Sequence, residues 1–399
     1  MISPDALWSL IAARCRPGPV VASARREALG RFLAEPVRAR CDLPPVDVSA
    51  LDGYALAGEV AAGAELPVAG TVAAGDPPTA RLAPGAAWRI WTGAPVPAGA
   101  DRVVAIERTE PVAGERVRVL ESPKAAAAIR RRGEVVRTGD SLLETGTLLG
   151  PSALALAASQ GVEELAVFRP PRVAVLATGD EVVPASAEPL PGGLRDSHSD
   201  YLLAAGRALG LELEPLGIAP DDPVELAARL GPALERCDVV VTCGGVSMGG
   251  EDHLPGVLRA LGCRIEAHGV AVQPGKPLLF GSRGEVLVFG LPGNPASVMV
   301  GFRLFVRPAL RRLLGSPGAA FWDEAFEVVT EAHLRAGGGR DRFLPALALP
   351  WAGPPRARPL SARGSHDLAA FARADLLLRV RAEDPAAEPG ARVEAIDWT

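Results

Sequence analysis

The sequence predicts a multidomain α/β plus β protein organised around a domain with a parallel sheet. Strand-like apolar runs alternate with helix-like segments between residues 172 and 310, which is typical of a parallel sheet covered by helices on both faces. Residues 58–125 are rich in Gly, Pro, Val and short apolar runs, which indicates a small β domain. Residues 325–399 show short strands between Pro and Gly turns, which favours a small β barrel or sandwich.

Composition places the chain among globular proteins and excludes several functional classes. The 399 residues suffice for two to four domains, and 48% of them are hydrophobic. A net charge of −5 gives no support to bulk nucleic-acid binding. The five cysteines include no C-x-x-C pair, which favours reduced thiols over a disulfide framework or a zinc site.

The N-terminal region predicts helices and no targeting signal. Residues 4–34 alternate apolar and charged positions at helical spacing, and a Pro-Gly-Pro break at 17–19 predicts two helices. Asp5 and Arg14 lie within this amphipathic pattern, so the segment does not resemble a signal peptide. No run of about 18 uncharged apolar residues is present, so we expect a cytoplasmic protein without a membrane span.

The first half of the α/β region predicts two strands and two helices. The run VAVLATGDE predicts a strand that enters a loop. A helix follows over residues 201–210, with Gly210 as its C-cap. Residues 212–218 predict a strand and residues 223–236 a helix.

Residues 237–297 contain two glycine-rich turns that each follow a buried strand. The run from Val239 to Val241 ends at Gly244-Gly245, and the run from Val286 to Phe289 ends at the sequence LPGNP. Such turns expose backbone N–H groups that can hold an anion. Because the two strands belong to one sheet, we expect both turns at the same carboxyl edge, where ligands bind.

Two common phosphate-binding motifs are absent from this stretch. Five residues separate Gly269 from Gly275-Lys276, and Pro277 follows the lysine, so the segment is not a Walker A loop. The glycine spacing at 244, 245, 249 and 250 does not match G-x-G-x-x-G. The chain is therefore neither a P-loop NTPase nor an ordinary Rossmann dehydrogenase.

Several sequence blocks together resemble one known family. The blocks GGVSMGGEDH, VQPGKP and GLPGNPAS are similar to signatures of the MoeA family of molybdopterin molybdenumtransferases, which includes the E domain of gephyrin. Further similar blocks are DVSALDGYAL, RIWTGAPVPAGADRVVAIE, RRRGEVVRTGD, LATGDEVV and RDSHSDYLL. They occur in the family's order over most of the chain, which makes the resemblance specific.

This resemblance implies a four-domain organisation. It predicts a helical linker domain from residues 1–45 and 140–170, into which a β-rich domain is inserted at 46–139. A MogA-like α/β molybdopterin-binding domain follows at 171–315, and a β-barrel-like domain at 316–399.

The resemblance also implies an activity, its substrates and its partners. The expected enzyme is a transferase that inserts molybdate into adenylylated molybdopterin and releases AMP, with Mg²⁺ present. We expect a homodimer whose pocket is shared between subunits, a possible MogA-like partner protein, and neither nucleic-acid nor membrane partners.

Candidate residues follow from this chemistry and from the family motifs. Acidic residues on loops at the sheet edge are candidates for Mg²⁺, which prefers oxygen ligands. The metal candidates are Glu181, Asp221 and Asp252. The catalytic candidates are Asp52, Glu181, Asp252 and Lys276. The binding candidates are Thr92, Gly244, Gly245, Ser247, Gly249, Pro274, Gly275, Pro292, Gly293, Asn294, Ser297, Arg340 and Ser365.

Some of these residues have a structural alternative. Asp221 and Asp222 precede Pro223, so one of them could be the N-cap of the next helix. Ser297 could likewise cap the helix that follows Asn294. Lys276 could be a solvated surface lysine, but it is one of only two lysines in the chain, which favours a specific role as an oxyanion partner.

Two departures from the family pattern leave other functions open. Gln273 stands where the family usually has a lysine, and Val135 follows Gly133-Glu134 where an aspartate is usual. One cation and one carboxylate are lost, although Gln273 can still donate N–H bonds. The alternatives are a non-enzymatic molybdopterin-binding scaffold and a paralogue that inserts tungstate.

Overall fold

Two compact units make up the chain. The computed structural model describes residues 1–246, 253–318, 320–350 and 353–398. The first unit contains Met1–Ala34, Thr145–Gly150 and Glu164–Thr399, and the second contains Glu35–Glu144 and Pro151–Glu163. The division into four domains with the boundaries given above stays a prediction.

A six-stranded sheet forms the centre of the first unit. Its strands, in spatial order, are Leu213–Ala219, Val173–Thr178, Val239–Cys243, Val286–Leu291, Leu279–Arg283 and Arg264–His268. The first four are parallel, which confirms the predicted parallel-sheet core.

The last two strands of this sheet depart from the parallel pattern. Leu279–Arg283 pairs antiparallel with Val286–Leu291, and Arg264–His268 pairs antiparallel with Leu279–Arg283. Only Gly284 and Glu285 connect the first pair, and so short a connection can form a hairpin but not a crossover. The sheet is therefore mixed at one edge.

Helices cover both faces of the sheet, as the alternation of elements predicts. Along Val173–Thr178 the odd-numbered valines pack on one face, together with helix His198–Ala208 and the helical stretch that begins with Pro295–Gly301. Ala174 and Leu176 of the same strand pack with helices Pro223–Arg236 and Leu254–Ala260 on the other face. The stretch from Pro295 continues through a π-helical turn, Phe302–Val306, into helix Arg307–Leu313.

A closed five-stranded barrel lies near the C-terminal end of the first unit. Its strands, in order around the barrel, are Asp341–Leu349, Arg356–Pro359, Phe326–Thr330, Arg392–Asp397 and Leu376–Val380. The pairing of Leu376–Val380 with Asp341–Leu349 closes it, which confirms the predicted barrel. A short strand, Val272–Gln273, pairs with the first residues of Asp341–Leu349.

The second unit is mainly β, as expected for this part of the chain. A curled six-stranded sheet contains Arg102–Ala105, Gly53–Leu56, Ala87–Ile90, Glu65–Val72, Arg116–Val119 and Thr109–Val112. Two short ribbons pair Val48–Ser49 with Ile129–Arg130 and Val37–Arg38 with Ser141–Leu143. Helix Pro151–Ser159 belongs to the same unit.

The prediction of two helices over residues 4–34 is half wrong. Pro4–Arg14 is a helix whose first turn is capped by the Ser3 hydroxyl. Val20–Ala24 is instead a strand, which pairs antiparallel with Glu164–Phe168. Its two adjacent valines fit a strand, and pairing with a distant segment outweighs the helical spacing. None of the described helices has the length and apolar character needed to cross a membrane.

Candidate functional site

The carboxyl ends of three parallel strands meet at one edge of the sheet. The N–H of Gly244 donates to the carbonyl oxygen of Leu291 at 3.0 Å, which ties the two glycine-rich turns together. A Cβ at Gly293 would lie 3.8 Å from the Cα of Gly244. The two turns therefore lie side by side, as the sequence predicts. Ser247, Gly249 and Asp252 lie outside the described residues.

A cavity of about 350 Å³ is present in the first unit, beside the second turn. It is lined by the loop at 272–277, the start of the helix at Pro295, the first residues of strand Asp341–Leu349 and the loop at 362–365. Eight of the predicted residues line it: Pro274, Gly275, Lys276, Pro292, Asn294, Ser297, Arg340 and Ser365. Residues from four separate chain segments thus converge on one cavity.

The cavity is strongly cationic. Lys276, Arg340 and Arg342 line it, and no carboxylate side chain does so among the described residues. Arg342 was not a candidate from the sequence, although it stands two residues after Arg340 in the same motif. Its guanidinium donates to the carbonyl of Arg335 at 2.9 Å, which fixes its position. Burial and the neighbouring charge of Arg335 lower the pKa of Arg342.

Backbone contacts hold the cavity walls together. Val272 pairs with Asp341 and Gln273 with Arg342, so the loop that contains Lys276 is attached to the barrel strand. On the other side, the N–H of Ala296 donates to the carbonyl of Ser365 at 3.0 Å.

The serine hydroxyls at this cavity are not used as helix caps. Asn294, not Ser297, is the N-cap of the helix Pro295–Gly301, and no side-chain hydrogen bond caps that helix. Ser297 is only 3% exposed, yet it lines the cavity. Ser365 lines the cavity as well, and a serine hydroxyl can act as a hydrogen-bond donor or acceptor.

Two of the predicted metal ligands, Glu181 and Asp221, follow the ends of two adjacent strands of the sheet. The N–H of Asp221 donates to Oδ1 of Asp180 at 3.0 Å, so these two acidic residues are adjacent. Asp222 is the N-cap of the next helix, because its carboxylate accepts from the N–H groups of Val224 and Glu225. The cap is therefore not Asp221. Glu181 is exposed beside this turn.

The acidic residues do not form a complete metal site within the described ranges. No group of three or more His, Cys, Asp or Glu side chains there is placed to bind a metal ion. Glu181 and Asp221 do not line the cationic cavity.

A second cavity, of about 680 Å³, adjoins this acidic turn. Asp180, Asp196 and Asp200 line it together with Arg229. Asp196 is 8% exposed and accepts from the N–H groups of His198 and Ser199 at 2.9 and 3.0 Å. Asp196 was not a site candidate from the sequence; its position just before a helix was the available signal.

In the second unit, Asp52 and Thr92 are brought together. Oδ1 of Asp52 accepts from the N–H of Thr92 at 2.8 Å and from its hydroxyl at 2.7 Å. These two bonds, and the charge of Arg89, lower the pKa of Asp52. Gly53 begins the following strand, where an added Cβ would overlap the carbonyl of Val104. The two hydrogen bonds therefore fix the carboxylate of Asp52, and the close approach of Val104 requires a glycine at position 53.

Comparison with protein families covers nearly the whole chain. Residues 2–161 match the family model described as MoeA N-terminal region (domain I and II). Residues 174–312 match one described as probable molybdopterin binding domain. Residues 327–398 match one described as MoeA C-terminal region (domain IV).

Individual relatives agree with these matches. A molybdopterin molybdenumtransferase of Nostoc sp. is 37% identical over 327 residues, which cover 79% of this chain and 74% of the relative. The chain belongs to the molybdopterin molybdenumtransferase family. It is therefore a transferase of molybdenum cofactor biosynthesis, and the resemblance found in the sequence is confirmed.

Two further relatives support the assignment. A molybdopterin molybdenumtransferase of Synechococcus elongatus is 40% identical over 304 residues, which cover 73% of this chain and 75% of the relative. The solved structure of a molybdopterin biosynthesis MoeA protein from Pyrococcus horikoshii OT3 is 26% identical, with a TM-score of 0.85 and complete coverage of both chains. The fold of this transferase family thus extends over the whole chain.

Proposed function

We propose that this transferase binds molybdate in the cationic cavity and inserts it into adenylylated molybdopterin, with release of AMP. The observation that supports this most directly is the lining of the cavity. Lys276, Arg340 and Arg342 supply positive charge there, and no described carboxylate opposes it. A small oxyanion is the ligand that such a lining favours.

The roles within the cavity follow from the chemistry of each group. Lys276 acts as a point charge, while the planar guanidinium of Arg340 can form two parallel bonds to an oxyanion. Ser297 and Ser365 donate from hydroxyls. Each charge-assisted hydrogen bond contributes about 1.5–3 kcal/mol in general, so a few of them suffice for a specific site. Catalysis would come from positioning and charge stabilisation rather than from a covalent nucleophile.

Gln273 also lines this cavity, at the position where the sequence lacks the family's usual lysine. The amide keeps two N–H donors but contributes no charge. Arg342 lines the same cavity and supplies a positive charge there. We therefore expect that Gln273 is compatible with oxyanion binding, and that the chain does not act merely as a scaffold.

Magnesium would be held at the neighbouring acidic turn. Mg²⁺ often uses one or two carboxylates and completes its shell with phosphate and water. Glu181 and Asp221 would supply the carboxylates, since their two loops are joined by the bond from the Asp221 N–H to Asp180. Together with Asp252 they would hold the ion, and a bound Mg²⁺ would neutralise charge on the substrate phosphate.

The remaining assignments stay predictions. We propose that Asp52 and Thr92 contribute to substrate binding and that the enzyme is a cytoplasmic homodimer with a possible MogA-like partner. The hydrogen bonds between Asp52 and Thr92 support a fixed carboxylate, but they do not identify its ligand.

The test is molybdate-dependent AMP release from adenylylated molybdopterin. Lys276→Ala should reduce release by about a hundredfold or more, since it removes a positioned charge. The chain offers a matched control, because Lys124 is its only other lysine and is exposed in the second unit. Lys124→Ala should retain full activity. If Lys276→Ala also retained it, the proposed role of the cavity would be wrong.

A second measurement addresses the choice of oxyanion. Tungstate should compete with molybdate in the same assay, because both are tetrahedral dianions of similar charge. If tungstate supported insertion and molybdate did not, the tungstate alternative would replace our proposal.

A further inference from the structure

Asp341 stands between two arginines of the cationic cavity but does not itself line it. Its side chain is buried in the barrel, and the residue is 5% exposed. Oδ2 accepts from Nε of Arg379 at 2.8 Å and lies 2.6 Å from Nη2 of the same residue. Oδ1 accepts from the N–H of Ala382 at 2.9 Å. Two nitrogens of Arg379 and the N–H of Ala382 thus hold the carboxylate.

Arg379 extends this contact into a buried ionic network. The residue is 4% exposed, and its Nη1 donates to Glu394 at 3.0 Å. Glu394 in turn accepts from Arg381 at 2.8 Å. Buried charges are stable only when they are paired, and both Asp341 and Glu394 supply a carboxylate to Arg379.

The main chain of Asp341 is attached to the opposite wall of the cavity. Its N–H donates to the carbonyl of Ala271 at 2.9 Å, and its partner in the strand pairing is Val272. This segment leads directly to Lys276. One residue therefore links the start of the barrel strand, where Arg340 and Arg342 flank it, to the loop that contains the lysine.

We propose that Asp341 is a positioning residue that sets the separation of the cavity's cations, through its ion pair with Arg379 and its bond to Ala271. The proposal rests on the function proposed above. The side chain of Asp341 does not touch the oxyanion; it acts through Arg340, Arg342 and Lys276. A misplacement of these groups of about 1 Å is sufficient to weaken a charge-assisted site.

The first variant is Asp341→Asn, which keeps the size of the side chain and removes its charge. We expect the KM for molybdate to rise about tenfold, because the loss of charge weakens the ion pair with Arg379 that helps to fix Arg340 and Arg342. At saturating molybdate, kcat and the KM for adenylylated molybdopterin should change by less than about threefold. A merely structural loss would lower the apparent kcat, through the amount of folded enzyme, and would leave both KM values unchanged.

A matched control exists on the same barrel. Glu331 pairs with Arg356 at 3.3 Å and with Arg358 at 3.1 Å, and none of the three lines the cavity. Glu331→Gln also breaks an ion pair of the barrel, and it should leave the KM for molybdate unchanged.

A double-mutant cycle distinguishes positioning from an independent effect. Asp341→Asn and Arg340→Ala are measured alone and together by titration of the full chain with sodium molybdate. If Asp341 acts through Arg340, the combined loss of affinity is smaller than the product of the single losses. Full multiplication of the two losses, or an unchanged KM in Asp341→Asn, would overturn the proposal. If Asp341→Asn does not fold, Arg379→Lys replaces it in the same cycle.

The same variants distinguish a failure of the proposed function from a failure of the positioning role alone. If Lys276→Ala and Arg340→Ala bind molybdate as the unaltered chain does, both the cavity assignment and the role of Asp341 are wrong. If those two variants lose affinity and Asp341→Asn does not, only the positioning role is wrong.

Discussion

Asp52 and Thr92 are joined by two hydrogen bonds to a single carboxylate oxygen, although 40 positions separate them in the chain. The N–H of Thr92 donates at 2.8 Å and its hydroxyl at 2.7 Å, both to Oδ1 of Asp52. Both bonds stabilise the ionised carboxylate, so the pKa of Asp52 lies below its usual range. Asp52 itself is exposed. The arrangement holds a permanent negative charge in a fixed orientation.

Thr92→Val should therefore raise the pKa of Asp52. The substitution removes the hydroxyl donor and retains the backbone donor, so the pKa should move only part of the way to the usual aspartate value. Carbon-13 NMR titration of the Asp52 carboxyl group measures it directly. Thr79→Val is the control, since Thr79 is exposed in the same unit. An unchanged pKa in Thr92→Val would show that the hydroxyl bond does not stabilise the ionised form.

Cysteine reactivity provides a second prediction. All five cysteines are free; Cys41 is exposed and Cys15, Cys237, Cys243 and Cys263 are buried. Burial raises the pKa of Cys15 to about 12, so its thiolate is scarce at neutral pH. Iodoacetamide should thus label the native chain once, and Cys41→Ser should abolish that labelling. Cys263→Ser should retain it. Rapid labelling of two or more sites in the native protein would contradict the burial pattern.

Much of the α/β core was predictable because its signals are local. Helix Pro223–Arg236 has the predicted bounds, set by the Asp222 cap and the proline that follows it. The two glycine turns lie together because parallel strands of one sheet end at the same edge. The strand Val20–Ala24 was missed because its partner lies at Glu164–Phe168, far along the chain.

At the cavity, too, residues within local sequence motifs could be predicted, whereas residues that depend on pairing between distant segments could not. Lys276 and Arg340 were recognisable from their motifs, whereas Arg342 was not. Whether a given arginine of the Arg-Asp-Arg segment lines the cavity depends on the pairing of Gln273 with Arg342, which the sequence does not specify. The buried ion pair of Asp341 and Arg379 could not be predicted either, because it joins two strands of the closed barrel that are distant in the sequence.

His198 predicts a dependence of stability on pH. It begins the helix His198–Ala208, and burial lowers its pKa, against the opposing charge of Asp196. The unfolded chain therefore binds a proton at higher pH than the folded chain does. The contribution of His198 to stability is accordingly complete above the unfolded pKa of about 6.5 and is lost as the pH drops towards the lower folded value.

Urea unfolding at several pH values between neutral and mildly acidic measures this dependence. His198→Gln should reduce the loss of stability over that range, because the variant has no titrating group at this position. His253→Gln, at an exposed histidine just before another helix, should retain the loss. An identical pH slope in the unaltered chain and in His198→Gln would assign the dependence to other groups.

Gly244 should be the least replaceable glycine of the sheet edge. Its φ of +104° favours glycine, and an added Cβ would lie 2.6 Å from the carbonyl oxygen of Thr178. Gly244→Ala should cost about 1–3 kcal/mol from backbone strain alone, with a further penalty from the contact. Gly256 is the matched control: it lies in helix Leu254–Ala260, is exposed, and has no atom within 4 Å of an added Cβ.

Gly256→Ala should instead stabilise the chain by up to about 1 kcal/mol, because alanine favours the helix. Urea unfolding of both variants gives the comparison. Because the Gly244 N–H also joins the two turns, Gly244→Ala should weaken molybdopterin binding even at temperatures where the variant remains folded. Equal stability of Gly244→Ala and the unaltered chain would mean that the strand Val239–Cys243 ends in a different conformation, and that the close approach of the two turns does not depend on glycine.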